Sequence, residues 1–194
     1  MDKKFDFIII GGGSSGIVAA SEIISKLNAT VLIIEEGPPD WHPLIKIPAG
    51  VVSFLKKEKF VKHYKTIPQK QLNGRIHEIA QGKVLGGSSS INGLVYMRGL
   101  KEDYNEWKTT CNNAKWGWDD MLPHFKRIEN NERINNDFHG INGPLKVSDP
   151  KYVSKGAYLY IKTLQELGIN YTNDFNDGNP KGVGLMQLTL DGNK

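Results

Sequence analysis

Apolar positions in the first forty residues fall into two continuous runs separated by a segment with helical spacing. Phe5 to Ile10 is a short run rich in β-branched residues, and Thr30 to Ile34 is a second one. From Ile17 to Leu27, apolar residues recur at intervals of three and four, and Asn28 is a plausible stop. This pattern predicts a buried strand, a helix with one apolar face, and a second buried strand.

A strand, a glycine-rich turn, a helix and a second strand within so short a stretch form a βαβ unit. The crossover in such a unit is almost always right-handed and makes the two strands parallel. The predicted fold class is therefore α/β, with a Rossmann-like βαβ unit and a parallel sheet that is incomplete within this chain.

Beyond residue 40, the periodicity of apolar residues is weaker, and residues that interrupt helices and strands are more frequent. Trp41 to Ile79 is expected to form loops with one helix around Ala49 to Lys56. Further along, Leu185 to Leu190 is expected to be a strand and Asp191 to Asn193 a turn, so a hairpin lacks its second arm at Lys194. The other expected elements are helices at Asp103 to Lys108, Asp119 to Asn130 and Lys155 to Leu167, a loop at Phe138 to Pro144, and a strand at Leu145 to Val147.

Composition narrows the class of protein. With 39% hydrophobic and 24% charged residues, the chain resembles a soluble globular protein, and its apolar start is too short for a signal peptide or a membrane span. The net charge of +4 comes from scattered lysines without interleaved aromatics, so nucleic acid is not an expected partner. Cys111 is the only cysteine, which excludes an internal disulfide or a thiolate metal site, fits a cytoplasmic location and is expected to be buried.

The glycine turn carries the first candidate chemistry. In Gly11-x-Gly13-x-x-Gly16, the first glycine permits the turn, the second lets the backbone approach a pyrophosphate, and the third allows close packing of helix and strand. Free amides at the start of the helix, near Ser14, are suited to hold phosphates. Glu35 ends the next strand, where it is expected to bind the ribose hydroxyls of an adenine dinucleotide.

This motif leaves the choice between FAD and NAD open. A carboxylate at Glu35 repels a 2′-phosphate, which disfavours NADP. Glu36 is expected on the opposite side of the strand end, as a solvated charge. A glycine turn without any ligand remains the minor alternative at this point.

A second glycine cluster, Gly82-Lys-Val-Leu-Gly-Gly-Ser-Ser-Ser-Ile-Asn-Gly-Leu-Val-Tyr-Met-Arg-Gly99, resembles a signature of the glucose-methanol-choline oxidoreductases. These are FAD enzymes that oxidise alcohols, and the resemblance is strongest to the choline dehydrogenase branch. The resemblance covers essentially the whole chain, and its motifs occur in the same order as in that family. The further matching motifs are Glu102 to Trp107, Trp116 to Trp118 with Leu122 to Phe125, Phe138 to Gly140 with Gly143-Pro144, and Gly182 to Gly184 with Gln187.

The residues of this cluster suit a flavin site. Gly86 and Gly87 let the main chain approach a flat ring, and Ser88 offers a hydroxyl. The resemblance implies that Ser88, Asn92, Gly93 and Val95 contact the pyrophosphate or the isoalloxazine. The full set of expected FAD-binding residues is Gly11, Gly13, Ser14, Ser15, Gly16, Glu35, Val84, Gly87, Ser88, Asn92, Gly93 and Val95.

Two positions depart from the family pattern. Some oxidases of the family tether the flavin through a histidine just before the asparagine, and here that position is Ile91, so FAD is expected to be non-covalent. Where relatives usually carry Pro-Arg, this chain has Ala80-Gln81, and any cationic contact from that position is lost.

Family members are more than twice as long, and their substrate pocket and proton-accepting histidine lie in the C-terminal half. We therefore assign no catalytic residue and no metal ligand here, and expect His42, His63, His77, His124 and His139 to be loop or packing residues. Residues 1–144 are predicted to be the N-terminal segments of the FAD-binding domain. Residues 145–194 are predicted to begin a mixed α+β substrate domain.

The resemblance implies oxidation of a small, choline-like alcohol to an aldehyde, with hydride transfer to flavin and electrons passing to a quinone-type acceptor or to oxygen. Peripheral membrane association of the full-length enzyme stays open. Two alternatives remain: a truncated, non-catalytic remnant that at most binds an adenine dinucleotide, and an NAD-dependent dehydrogenase, which does not explain the second glycine cluster.

Overall fold

A computed structural model of the chain describes residues 3–54 and 58–191. The described chain divides into two compact units between Gly93 and Leu94. This division is one of structure, and the functional boundary expected after residue 144 stays a prediction.

The first unit begins with the predicted βαβ arrangement. Strand β1 (Phe7–Ile10) pairs in parallel with β2 (Val31–Ile34), and helix α1 (Ser14–Leu27) connects them. Helix α1 ends at Asn28, whose left-handed φ of 49° closes the last turn. The α/β class and the first three elements are confirmed.

The expected burial of these strands is wrong for the described chain. Ile8 is 60% exposed and Ile10 is 87% exposed, and Ile34 at the end of β2 is also exposed. The physical reason is that the described sheet contains only two strands here, and α1 packs against them without covering both faces.

The segment expected to be mostly loop contains an antiparallel strand pair, β3 (Val61–Lys65) and β4 (Glu78–Gly82). Helix α2 (Val51–Phe54) covers part of the expected helix, whose last residues lie outside the described part. A hydrophobic cluster of Phe60, Val61, Val84 and Ile91 forms the core around this pair, and Leu44 and Ile45 pack against it.

The described part of the second unit contains three α-helices and a short parallel strand pair. They are α3 (Lys101–Thr110), α4 (Trp118–Ile128), β5 (Glu129–Asn131), β6 (Leu145–Val147) and α5 (Lys155–Glu166). Tyr104 packs against Trp107, Trp118 and Phe125 at centroid distances of 5.6–5.7 Å, which joins α3 to α4. None of the helices in the described part of the chain has the length and apolar run needed to cross a bilayer.

Three expectations in this unit need correction. The helix expected to reach Asn130 ends at Ile128, because the next three residues pair with β6. Leu185 to Leu190 is not a continuous strand, since only Leu188 forms bridges, with Val95 and Ser148. Cys111 is exposed because it lies at the C-terminal end of α3, and the expected turn after Asp191 lies outside the described residues.

Candidate functional site

The turn between β1 and α1 has the geometry that its glycines permit. Gly11 has a φ of +102°, a conformation that side chains disfavour. A Cβ atom on Gly16 would lie 2.1 Å from the carbonyl oxygen of Gly11, so only glycine allows the helix to pack so closely on the turn. Gly13 caps α1 without any side-chain hydrogen bond.

The N-terminus of α1 is therefore open to an anion. The first amides of a helix, here those of Ser14, Ser15 and Gly16, have no partner inside the helix. The first turn of α1 carries no acidic residue, so no carboxylate of the helix itself neutralises the helix dipole there. Such a terminus favours a phosphate group.

The second glycine cluster lies directly against this turn. The amide of Gly86 donates a 2.7 Å hydrogen bond to the carbonyl oxygen of Gly12. A Cβ atom on Gly87 would lie 2.9 Å from the Cα of Gly13, so a side chain at this position would force the two backbones apart. The hydroxyl of Ser88 accepts a 3.0 Å hydrogen bond from the amide of Gly82. Two loops that are distant in sequence thus build one surface of main-chain atoms.

Glu35 lies at the end of β2 beside this surface. Its Oε2 accepts a 2.7 Å hydrogen bond from the amide of Gly12, and its Oε1 accepts a 2.8 Å bond from the amide of Gly37. These bonds fix the orientation of the carboxylate. Each oxygen keeps a further lone pair with which to accept a hydrogen bond from a ligand hydroxyl.

Two adjoining clefts follow these residues. One, of about 420 Å³, is lined by Gly11, Gly13, Ser14, Ser15, Gly16, Gln81, Gly82, Gly87 and Ser88, among others. The other, of about 320 Å³, shares Ile10, Gly11, Gln81 and Gly82 with it and continues past Glu35 to Lys62 and Tyr64. Both volumes are in the range of small-molecule sites. An open helix terminus at one end and a fixed carboxylate at the other fit the pyrophosphate and ribose of an adenine dinucleotide.

The remaining expected site residues lie outside these clefts. The side chain of Val84 is fully buried in the hydrophobic cluster of the first unit, so only its main chain is available to a ligand. Asn92 and Gly93 are exposed. Val95 belongs to the second unit, where it is 52% exposed and bridges to Leu188.

The second unit contains a buried charged cluster that the sequence did not predict. Arg98 donates a 2.6 Å hydrogen bond to Glu129, and His139 lies between two carboxylates, with Nδ1 2.7 Å from Glu129 and Nε2 3.0 Å from Asp174. The side chains of Glu129 and His139 are fully buried. With His139 protonated, the two cations and two anions of this cluster balance, which is the condition under which buried charges are tolerated.

The surroundings shift the pKa values of these groups in opposite directions. Burial alone would lower the pKa of His139, but its hydrogen bonds with Asp174 and Glu129 outweigh burial and raise the pKa above 6.5. Burial would raise the pKa values of Glu129 and Asp174, but hydrogen bonds from His139 and other donors lower both. His139 is therefore an ion-paired residue and more than a packing histidine.

Two amides complete this cluster. Asn131 donates 2.8 Å hydrogen bonds to both Glu129 and Gln187. Gln187 in turn donates to Asn131 and to Asp149. His139 and Gln187 belonged to the sequence motifs that carried the family resemblance, but those motifs gave no sign of their common environment.

Two other histidines have clear partners. His42 accepts a 3.2 Å hydrogen bond from the amide of Leu44 and packs edge-on against Phe60. His63 lies 2.8 Å from Glu78 across the β3–β4 pair. Neither lines the two clefts of the first unit.

Comparison with known proteins assigns this geometry to a family. A family model described as GMC oxidoreductase matches residues 5–194. The chain is 38% identical over 186 residues to an alcohol dehydrogenase [acceptor] of Pseudomonas putida, and 37% identical over 185 residues to an oxygen-dependent choline dehydrogenase of Brucella anthropi. Each match covers 95% of this chain and 34% of the relative, so the chain spans about a third of the length of these curated relatives.

Solved structures show the same fold. The chain superposes on pyridoxine 4-oxidase from Mesorbium loti with a TM-score of 0.88 and 32% identity, covering 97% of this chain and 37% of that one. A formate oxidase of Aspergillus oryzae, whose FAD modification has been examined, matches with a TM-score of 0.83 and 25% identity, covering 96% of this chain and 34% of that one.

These matches confirm the expected family and, with it, FAD as the cofactor. They leave the mode of FAD attachment and the role of each site residue as predictions. The chain belongs to the GMC oxidoreductase family.

Proposed function

We propose that this chain is the FAD-binding portion of an oxidoreductase that converts a choline-like alcohol to its aldehyde by hydride transfer to the flavin. The observation that carries the proposal is the contact between the two glycine loops at the N-terminus of α1. There, the backbones of Gly13 and Gly87 approach too closely for a side chain on Gly87, and open helix amides lie beside them.

The residues expected to bind FAD would each hold a different part of the cofactor. The amides of Ser14, Ser15 and Gly16 bind the pyrophosphate, and Glu35 accepts hydrogen bonds from the ribose hydroxyls. Ser88, Asn92, Gly93 and Val95 serve the flavin half, with Val84 contributing its main chain. The bound flavin supplies the hydride acceptor for the reaction.

On this proposal, the βαβ unit begins a Rossmann-like FAD-binding domain that extends through residue 144. The substrate domain then begins at residue 145. We expect FAD to be held without a covalent bond. Ile91, at the position of the tethering histidine of some relatives, is 8% exposed and packs with Val84 in the hydrophobic cluster. The cytoplasmic location remains a prediction.

The nature of the substrate is supported by the relatives alone. The two curated relatives described above are named for an alcohol and for choline. A small alcohol is therefore the proposed substrate class, and the electron acceptor and the catalytic base stay unassigned.

Reconstitution with FAD tests this proposal. The purified chain should retain flavin after gel filtration, as seen in its visible absorbance, and ADP should compete for the same site. Dye-linked oxidation of choline and of simple primary alcohols is then measured on the flavin-loaded protein. Retained FAD without turnover would support the alternative of a non-catalytic remnant, and retention of NAD in place of FAD would refute the flavin assignment.

A further inference from the structure

The segment from Leu94 to Arg98, in the second unit, alternates between exposed and buried side chains. Val95 and Met97 are 52% and 48% exposed, whereas Tyr96 and Arg98 are buried. An extended chain with one face turned inward produces this alternation. Because the proposed function assigns Val95 to the flavin half of the cofactor, whatever fixes this segment also fixes that part of the site.

The segment begins at a strained residue. Leu94 has a φ of +64°, a left-handed conformation in which the Cβ atom of an L-residue crowds its own backbone. The carbonyl oxygen of Leu94 accepts a 2.7 Å hydrogen bond from the amide of Thr189 and a 3.2 Å bond from the hydroxyl of Thr189. Strain of this kind persists where the surrounding contacts over-determine the backbone, and it is concentrated at functional sites.

Asn176 bonds to the main chain of the same segment through its side chain. The amide of Tyr96 first donates a 2.8 Å hydrogen bond to the carbonyl oxygen of Gln187, as in a sheet. The carbonyl oxygen of Tyr96 then accepts a 3.2 Å bond from Nδ2 of Asn176, and the amide of Arg98 donates a 2.8 Å bond to Oδ1 of Asn176. The carboxamide thus takes the place of a neighbouring strand.

Asn176 is itself fixed by the buried charged cluster. It is 4% exposed, and its amide donates a 2.8 Å hydrogen bond to Asp174, the carboxylate that binds Nε2 of His139. His139 in turn binds Glu129, and Glu129 accepts from the guanidinium of Arg98. These bonds form a closed circuit that starts at the main chain of Arg98 and returns to its side chain.

We propose that Asn176 and Thr189 are positioning residues for the flavin half of the cofactor, because they hold the segment from Leu94 to Arg98 in the strained conformation that presents Val95. This inference rests on the proposed FAD function. Neither side chain has to touch the cofactor. A segment that is held in its binding conformation in advance loses no further conformational freedom when the ligand binds, so releasing the segment weakens binding.

Calorimetric titration of the chain with FAD and with ADP tests the inference, because ADP lacks the flavin half. Asn176→Ala removes both bonds to the segment and should weaken FAD by about 10-fold while ADP stays within about 2-fold of the unchanged chain. Thr189→Val removes one hydroxyl at nearly constant volume and should weaken FAD alone by about 3-fold. Asn179→Ala and Thr163→Val, at exposed positions of the second unit, are the matched controls and should change neither affinity.

Visible circular dichroism of the bound flavin adds a readout that a loss of stability alone does not change. The spectrum should differ from that of the unchanged chain in Asn176→Ala and in Thr189→Val, and should match it in both controls. If Asn176→Ala does not fold, Thr189→Val decides, since it keeps the main-chain bond to Leu94. Equal weakening of FAD and ADP, or an unchanged FAD affinity in Thr189→Val and in folded Asn176→Ala, would refute the positioning role while the FAD proposal stands. If the unchanged chain binds neither ligand, the proposed function and this inference both fail.

Discussion

The two units of this chain use polar groups in opposite ways. In the first, glycine loops expose main-chain amides at the start of α1, and the Glu35 carboxylate keeps acceptor capacity toward a cleft. In the second, Arg98, Glu129 and His139 are buried and bonded to one another. Among the described residues, no buried side-chain nitrogen or oxygen lacks a hydrogen-bond partner.

The polar groups of the first unit are therefore suited to binding a ligand, and those of the second unit are suited to stabilising the fold. Open, preoriented groups have free energy to gain from a ligand, whereas a satisfied buried cluster has only the folded structure to stabilise. Substitutions in the first unit should therefore change cofactor affinity, and substitutions in the charged cluster should change the free energy of unfolding.

The largest expected effect on cofactor affinity is the loss of flavin retention in Gly13→Val. The valine side chain would occupy the space where the backbone meets the pyrophosphate, so FAD affinity should fall by 100-fold or more, on the order of 3 kcal/mol. The measurement is the flavin-to-protein ratio after gel filtration. Gly156→Val, where an added Cβ meets only the Ser154 hydroxyl at 3.8 Å, is the matched control and should keep its flavin. Unchanged flavin content in Gly13→Val would remove the phosphate role from this turn.

The largest expected effect on stability is that of Glu129→Gln, which leaves Arg98 and His139 facing a neutral amide in a buried site. Removing one partner of a buried ion pair should lower the free energy of unfolding by about 3–5 kcal/mol. Urea unfolding followed by tryptophan fluorescence measures this well, because Trp107, Trp116 and Trp118 lie in the second unit.

The control for that experiment is an exposed ion pair in the same unit. Glu166 lies 3.8 Å from Lys162 on the surface of α5, and both side chains are more than 60% exposed. Glu166→Gln should cost less than about 0.5 kcal/mol. Equal losses in the two variants would contradict a special role for the buried cluster.

A smaller effect on affinity is expected for Glu35→Ala. Loss of the charge-assisted ribose bonds should weaken FAD binding by about 1–3 kcal/mol in a calorimetric titration. Glu35→Gln keeps one side-chain oxygen, which can accept from only one of the amides of Gly12 and Gly37, and should show an intermediate loss. Glu58→Ala, which removes an exposed carboxylate of the first unit that lines neither cleft, should change FAD affinity little. An unchanged affinity in Glu35→Ala would show that the ribose lies elsewhere.

The smallest effect is a pH dependence of stability from the charged cluster. Because the pKa of His139 is raised in the folded state, this residue stabilises the fold fully below pH 6.5. That contribution to the free energy of unfolding is lost as the pH rises through the raised pKa. Because the pKa of Glu129 is lowered in the folded state, this residue stabilises the fold fully above pH 4.5. That contribution to the free energy of unfolding is lost as the pH falls through the lowered pKa. Stability should therefore be greatest between these limits and decline on both sides.

Urea midpoints measured between about pH 2.5 and pH 9 should follow this profile. In His139→Gln, the decline on the alkaline side should flatten, since the group that loses its proton there is gone. A decline of the same steepness in this variant would assign the alkaline loss to another residue.

Elements specified by neighbouring residues were predictable from the sequence. The βαβ unit follows from local periodicity and a glycine turn, and α5 ends beside Gly168, whose φ is +88°. The pair β3–β4 was missed because its strands carry polar residues such as Lys62, His63 and Glu78, without an alternating apolar face.

The charged cluster could not be found in the same way. Its members come from distant parts of the chain, and the amide of Arg98 bonds to Asn176, 78 positions away. Nothing in the local sequence around either residue signals a buried partner of opposite charge. Likewise, the apolar run near Leu188 suggested a strand, but only Leu188 itself forms bridges.

Titration with FAD and with FMN shows directly whether the first unit holds the adenosine half of the cofactor. FMN carries the flavin ring but lacks the adenosine half, which is the part that the first unit is proposed to hold. We predict that FAD binds, that ADP competes with it, and that FMN binds at least about 10-fold more weakly. Equal binding of FMN and FAD, with no competition by ADP, would contradict the claim that the glycine turn and Glu35 hold an adenine dinucleotide.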